Sequence, residues 1–251
     1  MIDLKGRVAL VTGGSRGIGR ACVLRLAEAG ADLVINYITS ESAAREVASE
    51  VKTLGRRALV IKADVSRRED TLAMVEFAGQ RFGSLDILIS NAASGGFRAM
   101  ASATEANFAA AMNTNVAAFL WLVQAALPLL QKARANAKVI AISSRGAEVA
   151  LPGYGLIGAS KAALESMVRH AALEWGAGIN FNVVQAGLTA TESALALATA
   201  WADGKRPDML APGDVADTVL FLASALSNRI QGQTFIVDSN SSVSRHLTEV
   251  T

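Results

Sequence analysis

The chain has 251 residues, 51% hydrophobic and 18% charged, with 24 basic and 22 acidic side chains giving a formal charge of +2. These values exclude a disordered, collagen-like or low-complexity chain, and an aromatic content of 5% beside near-neutral charge offers no nucleic-acid surface. The single cysteine, Cys22, excludes an intramolecular disulfide framework and a multi-cysteine metal site, and no metal is expected.

The N-terminus runs directly into a strand pattern and lacks the apolar core and cleavage site of a signal peptide, so a cytoplasmic protein is expected. Short β-branched runs lie at 7–12, 32–36, 58–62, 86–89, 138–143, 179–184 and 233–237. Alanine-rich helical patterns alternate with them at about 17–29, 40–54, 68–82, 104–135, 160–176 and 213–225. Several strands are apolar at nearly every residue, as in a parallel sheet covered on both faces. The alternation predicts an α/β fold: one doubly wound, Rossmann-type domain spanning 1–251, with a seven-stranded parallel sheet. The longest apolar run, Val116 to Leu130, contains Gln124 and Pro128 and reads as a buried helix, so no membrane association is expected. The stretch 188–212 interrupts the rhythm just past a strand's carboxyl end, where such sheets bind ligands, and is expected to form a substrate lid.

The first strand ends in Thr12-Gly13-Gly14-Ser15-Arg16-Gly17-Ile18-Gly19 and enters a helix. Gly13 permits a tight turn, Gly17 lets backbone approach a pyrophosphate, and Gly19 lets helix and strand pack closely. The helix N-terminus then faces the phosphate. Ser15, Arg16 and Ile18 complete this candidate cofactor loop. Its Gly-x3-Gly-x-Gly spacing resembles that of the short-chain dehydrogenase/reductase family, and the resemblance covers nearly the whole chain. Asp64-Val65 follows the third strand, where that family contacts adenine. Asn91-Ala92-Ala93 resembles the family's Asn-Asn-Ala-Gly element, with Ser90 and Ala93 at its changed ends. Asn115, Ser144 and Lys161 match the asparagine, serine and lysine of the family's catalytic set; Asn36, Asn91 and Lys161, with Gly187 and Thr189 after the sixth strand, are further cofactor candidates. The second strand ends at Asn36-Tyr37-Ile38-Thr39-Ser40 with no carboxylate to repel a 2′-phosphate, and Arg16 could supply a cation. NADPH is therefore expected over NADH.

Most members of that family carry Tyr-x3-Lys, but the residue four before Lys161 is Ile157. Tyr154 stands seven before it, about two helical turns or ~10 Å along an axis. Gly153, Gly155 and Gly158 argue against a continuous helix there, placing Tyr154 on a flexible approach to it. Tyr-x6-Lys is the spacing of enoyl-thioester reductases in this superfamily. The run from Ser143-Ser144 through Tyr154 to Glu165 is similar to bacterial enoyl-acyl-carrier-protein reductases, and Gln185-Ala186-Gly187 in place of Pro-Gly is compatible with them.

The resemblance implies conjugate reduction of an enoyl thioester, carried by a small molecule or an acyl-carrier protein, in fatty-acid or related biosynthesis. Its catalytic residues would be Tyr154, Lys161, Ser144 and Asn115, with Ser144 open between a structural and a helping role. A homotetramer, or a homodimer, is implied as well. Two alternatives stand beside it. A carbonyl reductase of ketones or 3-oxo thioesters is favoured by Ser144 and Lys161 and opposed by Ile157. A non-catalytic NADPH-binding sensor or scaffold is opposed by the retained polar set.

Overall fold

All seven expected strands form, as β1 (Val8–Val11), β2 (Asp32–Tyr37), β3 (Ala58–Lys62), β4 (Ile87–Ser90), β5 (Ala137–Ser144), β6 (Ile179–Ala186) and β7 (Thr234–Val237). The computed structural model describes residues 2–192, 194 and 209–239. The strands make one sheet in the order β3-β2-β1-β4-β5-β6-β7, with every neighbouring pair parallel. The order reverses between β1 and β4. The crevice beyond their carboxyl ends is where a doubly wound sheet takes a nucleotide.

Helices cover both faces: α1 (Gly17–Glu28), α2 (Glu41–Thr53), α3 (Arg68–Phe82), α4 (Glu105–Met112), α5 (Ala118–Leu130), α6 (Gly155–Glu174) and α7 (Pro212–Ala223). Alternate residues of each strand serve the two faces. Val11, Ile35, Ile142 and Val184 pack with Leu26, Val47 and Val219 of α1, α2 and α7. Leu10, Val34, Val139 and Phe181 pack with Met74, Phe119 and Leu164 of α3, α5 and α6. Cys22 is fully buried in α1, and burial pushes its thiol up to about 12, so it is an inert core residue. By length and composition the run Glu105–Leu130 could cross a bilayer. Phe119, Leu122, Val123 and Ala126 on it are instead buried against the sheet side.

Two helices differ from expectation. The helix expected at 104–135 is divided by a π turn at Asn113–Ala117 and ends at Leu130. Just beyond that end, the backbone N–H of Arg134 donates to the Asp86 carboxylate at 3.1 Å, tying the chain to the amino end of β4. The helix expected from 160 begins at Gly155 and runs unbroken through Gly158. Gly158 is required there because a Cβ would stand 2.5 Å from the Gly146 carbonyl oxygen, so the glycine marks a close crossing rather than a helix break. Most of the expected lid, 193 and 195–208, and the tail 240–251 lie outside the described residues. The ends of the 188–212 stretch are joined, since Leu210 N–H donates to Leu188 at 2.9 Å and Ala190 N–H to Leu210 at 2.8 Å.

Candidate active site

The glycine turn leaves β1 with Gly13 and Gly17 at φ +63 and +54, conformations that favour glycine. α1 starts at Gly17 without a side-chain cap and with no acidic residue in its first turn. Its leading amides are thus not claimed by a capping side chain, which is the arrangement an anionic group requires.

Thr12 organises the turn from beneath and was not singled out by the motif. Its Oγ accepts from the backbone N–H groups of Asn91 and Ala92 at 2.9 and 3.0 Å, linking the carboxyl ends of β1 and β4 across the crevice. Thr12→Val keeps the shape but strands those two donors, and should cost about 2–4 kcal/mol at ~1–3 kcal/mol per unpaired group. The midpoint of urea unfolding measures it.

Two expected cofactor contacts have their side chains committed to the scaffold. Asn91 Nδ2 donates to the carbonyls of Thr12 and Gly13 at 2.8 and 3.3 Å. Asn36 is buried, with its Oδ1 accepting from Gly13 N–H at 3.1 Å and its Nδ2 donating to Ala63 at 3.0 Å. Both hold the loop in shape. Asp64 closes the turn after β3 by accepting from Ser66 N–H and hydroxyl, while Val65 is buried in the core. Ser15 is buried and Ile18 packs against the core formed by α1, α2 and α7. Arg16 stays at the surface, where its Nη1 lies 3.2 Å from Glu192 with both side chains largely exposed. Glu41, just beyond β2, is a carboxylate the strand-end reading left out; Arg45 and Tyr37 hydrogen-bond it and hold it below the usual carboxylate range. Gly187 packs against the end of β7, its absent Cβ only 2.8 Å from Asp238 Cα. Thr189 is buried with its hydroxyl donating to Gly187 at 3.0 Å.

On the other side of the crevice, Ser144 ends β5 and Tyr154 caps α6. Tyr154 sits at the head of the continuous helix that carries Lys161, rather than on a separate flexible approach. Its ring presses on Gly146, where a Cβ would stand 2.3 Å away, and stacks at a tilt on Phe97 with centroids 5.0 Å apart. Burial raises the phenol above its ordinary value, and a hydrogen-bonding interaction with Ser144 opposes that only in part. The phenol therefore stays protonated around neutrality and can act as a hydrogen-bond donor. Ile157 is buried and lies against Gly95, its Cγ1 2.5 Å from where a Cβ would be, so the position four before the lysine is an apolar wall.

Lys161 is buried, and its Nζ donates to the Ile142 carbonyl at 2.8 Å. Burial lowers it to about 8, with Glu165 pulling it upward. Asn115 lies in the π turn. Its amide accepts from Ser94 N–H at 2.9 Å and donates to Ser94 carbonyl and Ser160 hydroxyl at 2.9 and 2.8 Å. It fastens the loop after β4 to the helix residue beside Lys161, as π turns at functional sites often do. Next to Tyr154 opens a cavity of about 340 Å³, lined by Met100, Gly146, Val149 and Leu151 with Arg98 and Glu148. Among the described residues no group of three or more His, Cys, Asp or Glu side chains could hold a metal ion.

A family model described as enoyl-(acyl carrier protein) reductase matches residues 13–239. The 1-cyclohexenylcarbonyl-CoA reductase of Streptomyces collinus is 34% identical, the match covering 94% of this chain and 87% of that protein. The hydroxynaphthalene reductase-like protein Arp2 of Metarhizium anisopliae is 33% identical over 95% of this chain and 96% of its own. A short chain dehydrogenase from Burkholderia cenocepacia, solved in complex with NADP, superposes with a TM-score of 0.85 at 34% identity, covering 94% of this chain and 97% of that one. With the sheet order, the glycine turn and the Ser144–Tyr154–Lys161 arrangement, these matches show that the chain belongs to the short-chain dehydrogenase/reductase family of oxidoreductases.

Proposed function

We propose that this protein is an NADPH-dependent reductase of the C=C bond of an α,β-unsaturated thioester. The observation that carries this reading is the protonated, half-buried Tyr154 at the head of α6, seven residues before Lys161, with apolar Ile157 where a proton-transferring tyrosine would stand four before it. Conjugate reduction needs a donor at the thioester oxygen, where negative charge grows, and a neutral phenol in a low-dielectric pocket supplies one. A relative named for reduction of a cyclohexenylcarbonyl-CoA, itself an unsaturated thioester, supports the same chemistry.

The residues fit the cofactor. The uncapped first turn of α1 and the left-handed Gly13 and Gly17 suit its pyrophosphate, and Asp64, Val65 and Thr189 follow the carboxyl ends of β3 and β6. NADPH, when bound, supplies the hydride. Lys161 would hold the nicotinamide ribose and add positive potential, while Asn115 keeps the β4 loop and α6 in register. Ser144 would hold the Tyr154 hydroxyl in line. The cavity lined by Met100, Val149 and Leu151 would take the acyl chain, and the 188–212 stretch, closed at its base, would cover it. A small acyl thioester or a carrier-protein-bound one, a cytoplasmic setting and a homotetrameric assembly belong to the same proposal.

Arg16 is the proposed partner of the 2′-phosphate. Its ion pair with Glu192 is exposed and worth roughly 0–1 kcal/mol, so an incoming phosphate can displace it. Arg16→Ala should raise KM for NADPH about 10-fold or more and leave KM for NADH nearly unchanged, one charge-assisted contact being worth ~1.5–3 kcal/mol. Steady-state kinetics with both cofactors measures the difference.

A second reading, ketone reduction, is favoured by the contact of Tyr154 with Ser144, since two hydroxyls so placed could share one carbonyl oxygen. Rates of NADPH oxidation with crotonyl-CoA and with acetoacetyl-CoA separate the two. Turnover of the first alone supports conjugate reduction, and turnover of the second alone overturns it.

A further inference from the structure

The end of the motif that carries Tyr154 and Lys161 is Glu165, a carboxylate only 5% exposed, one helical turn past the lysine. Burying a carboxylate is costly unless it is paired and hydrogen-bonded. Here its Oε1 accepts from the Ser143 hydroxyl at 2.5 Å and from Gln185 Nε2 at 3.0 Å. Ser143 and Gln185 are register partners on β5 and β6, so both side chains reach the sheet face that α6 covers. Gln185 is in turn fixed by Arg145, whose Nη1 donates to its Oε1. Arg145 also pairs with Glu148 at 2.8 Å and with Asp238 at 3.4 Å. A chain of polar contacts thus runs inward from the ends of β5 and β7 and stops at Glu165. The surface end has its own balance of charge, Arg145 facing two carboxylates. The inner end holds Glu165, which is buried on the same helix one turn past the buried Lys161, whose Nζ donates to the neutral Ile142 carbonyl.

We propose that Glu165, fastened by Ser143 and Gln185, is a positioning residue: it fixes a carboxylate one helical turn from the Lys161 ammonium and keeps that ammonium seated against the β5 carbonyl. The proposal rests on the functional reading above for the role of Lys161 toward the cofactor. The placement of Glu165 stands on the geometry. Among the described residues the charged groups around α6 are Arg145 and Glu148 after β5, Arg98 in the loop after β4, Glu105 on α4 and Lys138 near the opposite end of β5, with Arg169, His170 and Glu174 farther along α6 itself. Asp238 at the end of β7 joins through Arg145. Tyr154, the remaining titratable group close by, stays neutral in this range. Glu165 is the charged group that acts on Lys161 and opposes the effect of its burial.

The test follows the lysine itself. In the full-length protein labelled with ¹³C at lysine Cε, without cofactor, the resonance lost in Lys161→Met identifies Lys161, and its shift is followed against pH. The wild-type midpoint is expected at about 8. Glu165→Gln keeps the acceptor for Ser143 and removes the charge. It should lower the midpoint by roughly one pH unit or more, the scale of a nearby opposite charge, while Glu165→Asp should restore most of it. The alkaline limb of NADPH binding, read by cofactor fluorescence, should move with it. An unmoved Lys161 midpoint in Glu165→Gln overturns the proposal. If that variant does not fold, wild-type protein labelled at the glutamate carboxyl carbon decides: the Glu165 carboxyl should shift with the Lys161 midpoint, and its failure to respond overturns the proposal equally. A lowered midpoint in a protein that does not reduce crotonyl-CoA would sink the functional reading and leave this placement intact.

Discussion

Tyr154→Phe is expected to lower kcat with crotonyl-CoA about 10²–10³-fold, the usual loss when a single oxyanion donor is removed from a water-poor site. The substitution deletes one hydroxyl and keeps the ring that packs on Gly146 and stacks on Phe97 at 5.0 Å, so the head of α6 should hold its place. NADPH affinity should change by no more than about 2-fold, because a loss confined to the transition state lowers kcat without weakening ground-state binding. Single-turnover rates and a fluorescence titration give both quantities. The tyrosine's direction of shift adds a further expectation. Burial raises the phenol above its ordinary range, so an alkaline fall of the wild-type rate near 8 belongs to Lys161 rather than to Tyr154. Wild-type turnover in Tyr154→Phe would remove the phenol from the mechanism.

Gly19→Ala has the second large effect. A Cβ at Gly19 would stand 2.2 Å from the Gly13 carbonyl oxygen and 2.5 Å from Asn91 Nδ2. The first atom is backbone of the turn, and the second ends a side chain pinned to that turn by hydrogen bonds to the Thr12 and Gly13 carbonyls. The turn must open, breaking the Asn91 bonds to Thr12 and Gly13 that hold β1 and β4 together. NADPH should bind at least ~100-fold more weakly, a loss of about 2.8 kcal/mol, accompanied by a lower Tm. Gly213→Ala is the matched control. It lies in the first turn of α7 with nothing within 4 Å of a new Cβ, and should be neutral or stabilising by up to ~1 kcal/mol. Equal damage from both substitutions would mean that crowding at the turn is not what matters.

The inner strands were legible because they bury both faces and end at a glycine or polar break; β5 and β6 are buried along nearly their whole length. The loop of Gly13, Gly17 and Gly19 was legible for the same local reason, since backbone conformation is written in residue type. Contacts between distant segments were not. Gly158 reads as a helix breaker until the Gly146 carbonyl is brought beside it. Asn36 and Asn91 read as ligand contacts, but the fold places carbonyls of other strands around their amides. Thr12 and Glu165 carry no motif weight alone. Their partners stand at sequence separations of 79 and 22, and only the sheet register unites them. For Glu165 a signal was present: an acidic residue one turn past a lysine in an otherwise small and apolar helix face.

The most direct measurement of the central claim offers the enzyme crotonyl-CoA and acetoacetyl-CoA together, with NADPH dideuterated at nicotinamide C4, and locates the deuterium by mass spectrometry. Conjugate reduction predicts butanoyl-CoA labelled at C3, with acetoacetyl-CoA returned unchanged. Labelled 3-hydroxybutanoyl-CoA beside unreacted crotonyl-CoA would contradict it.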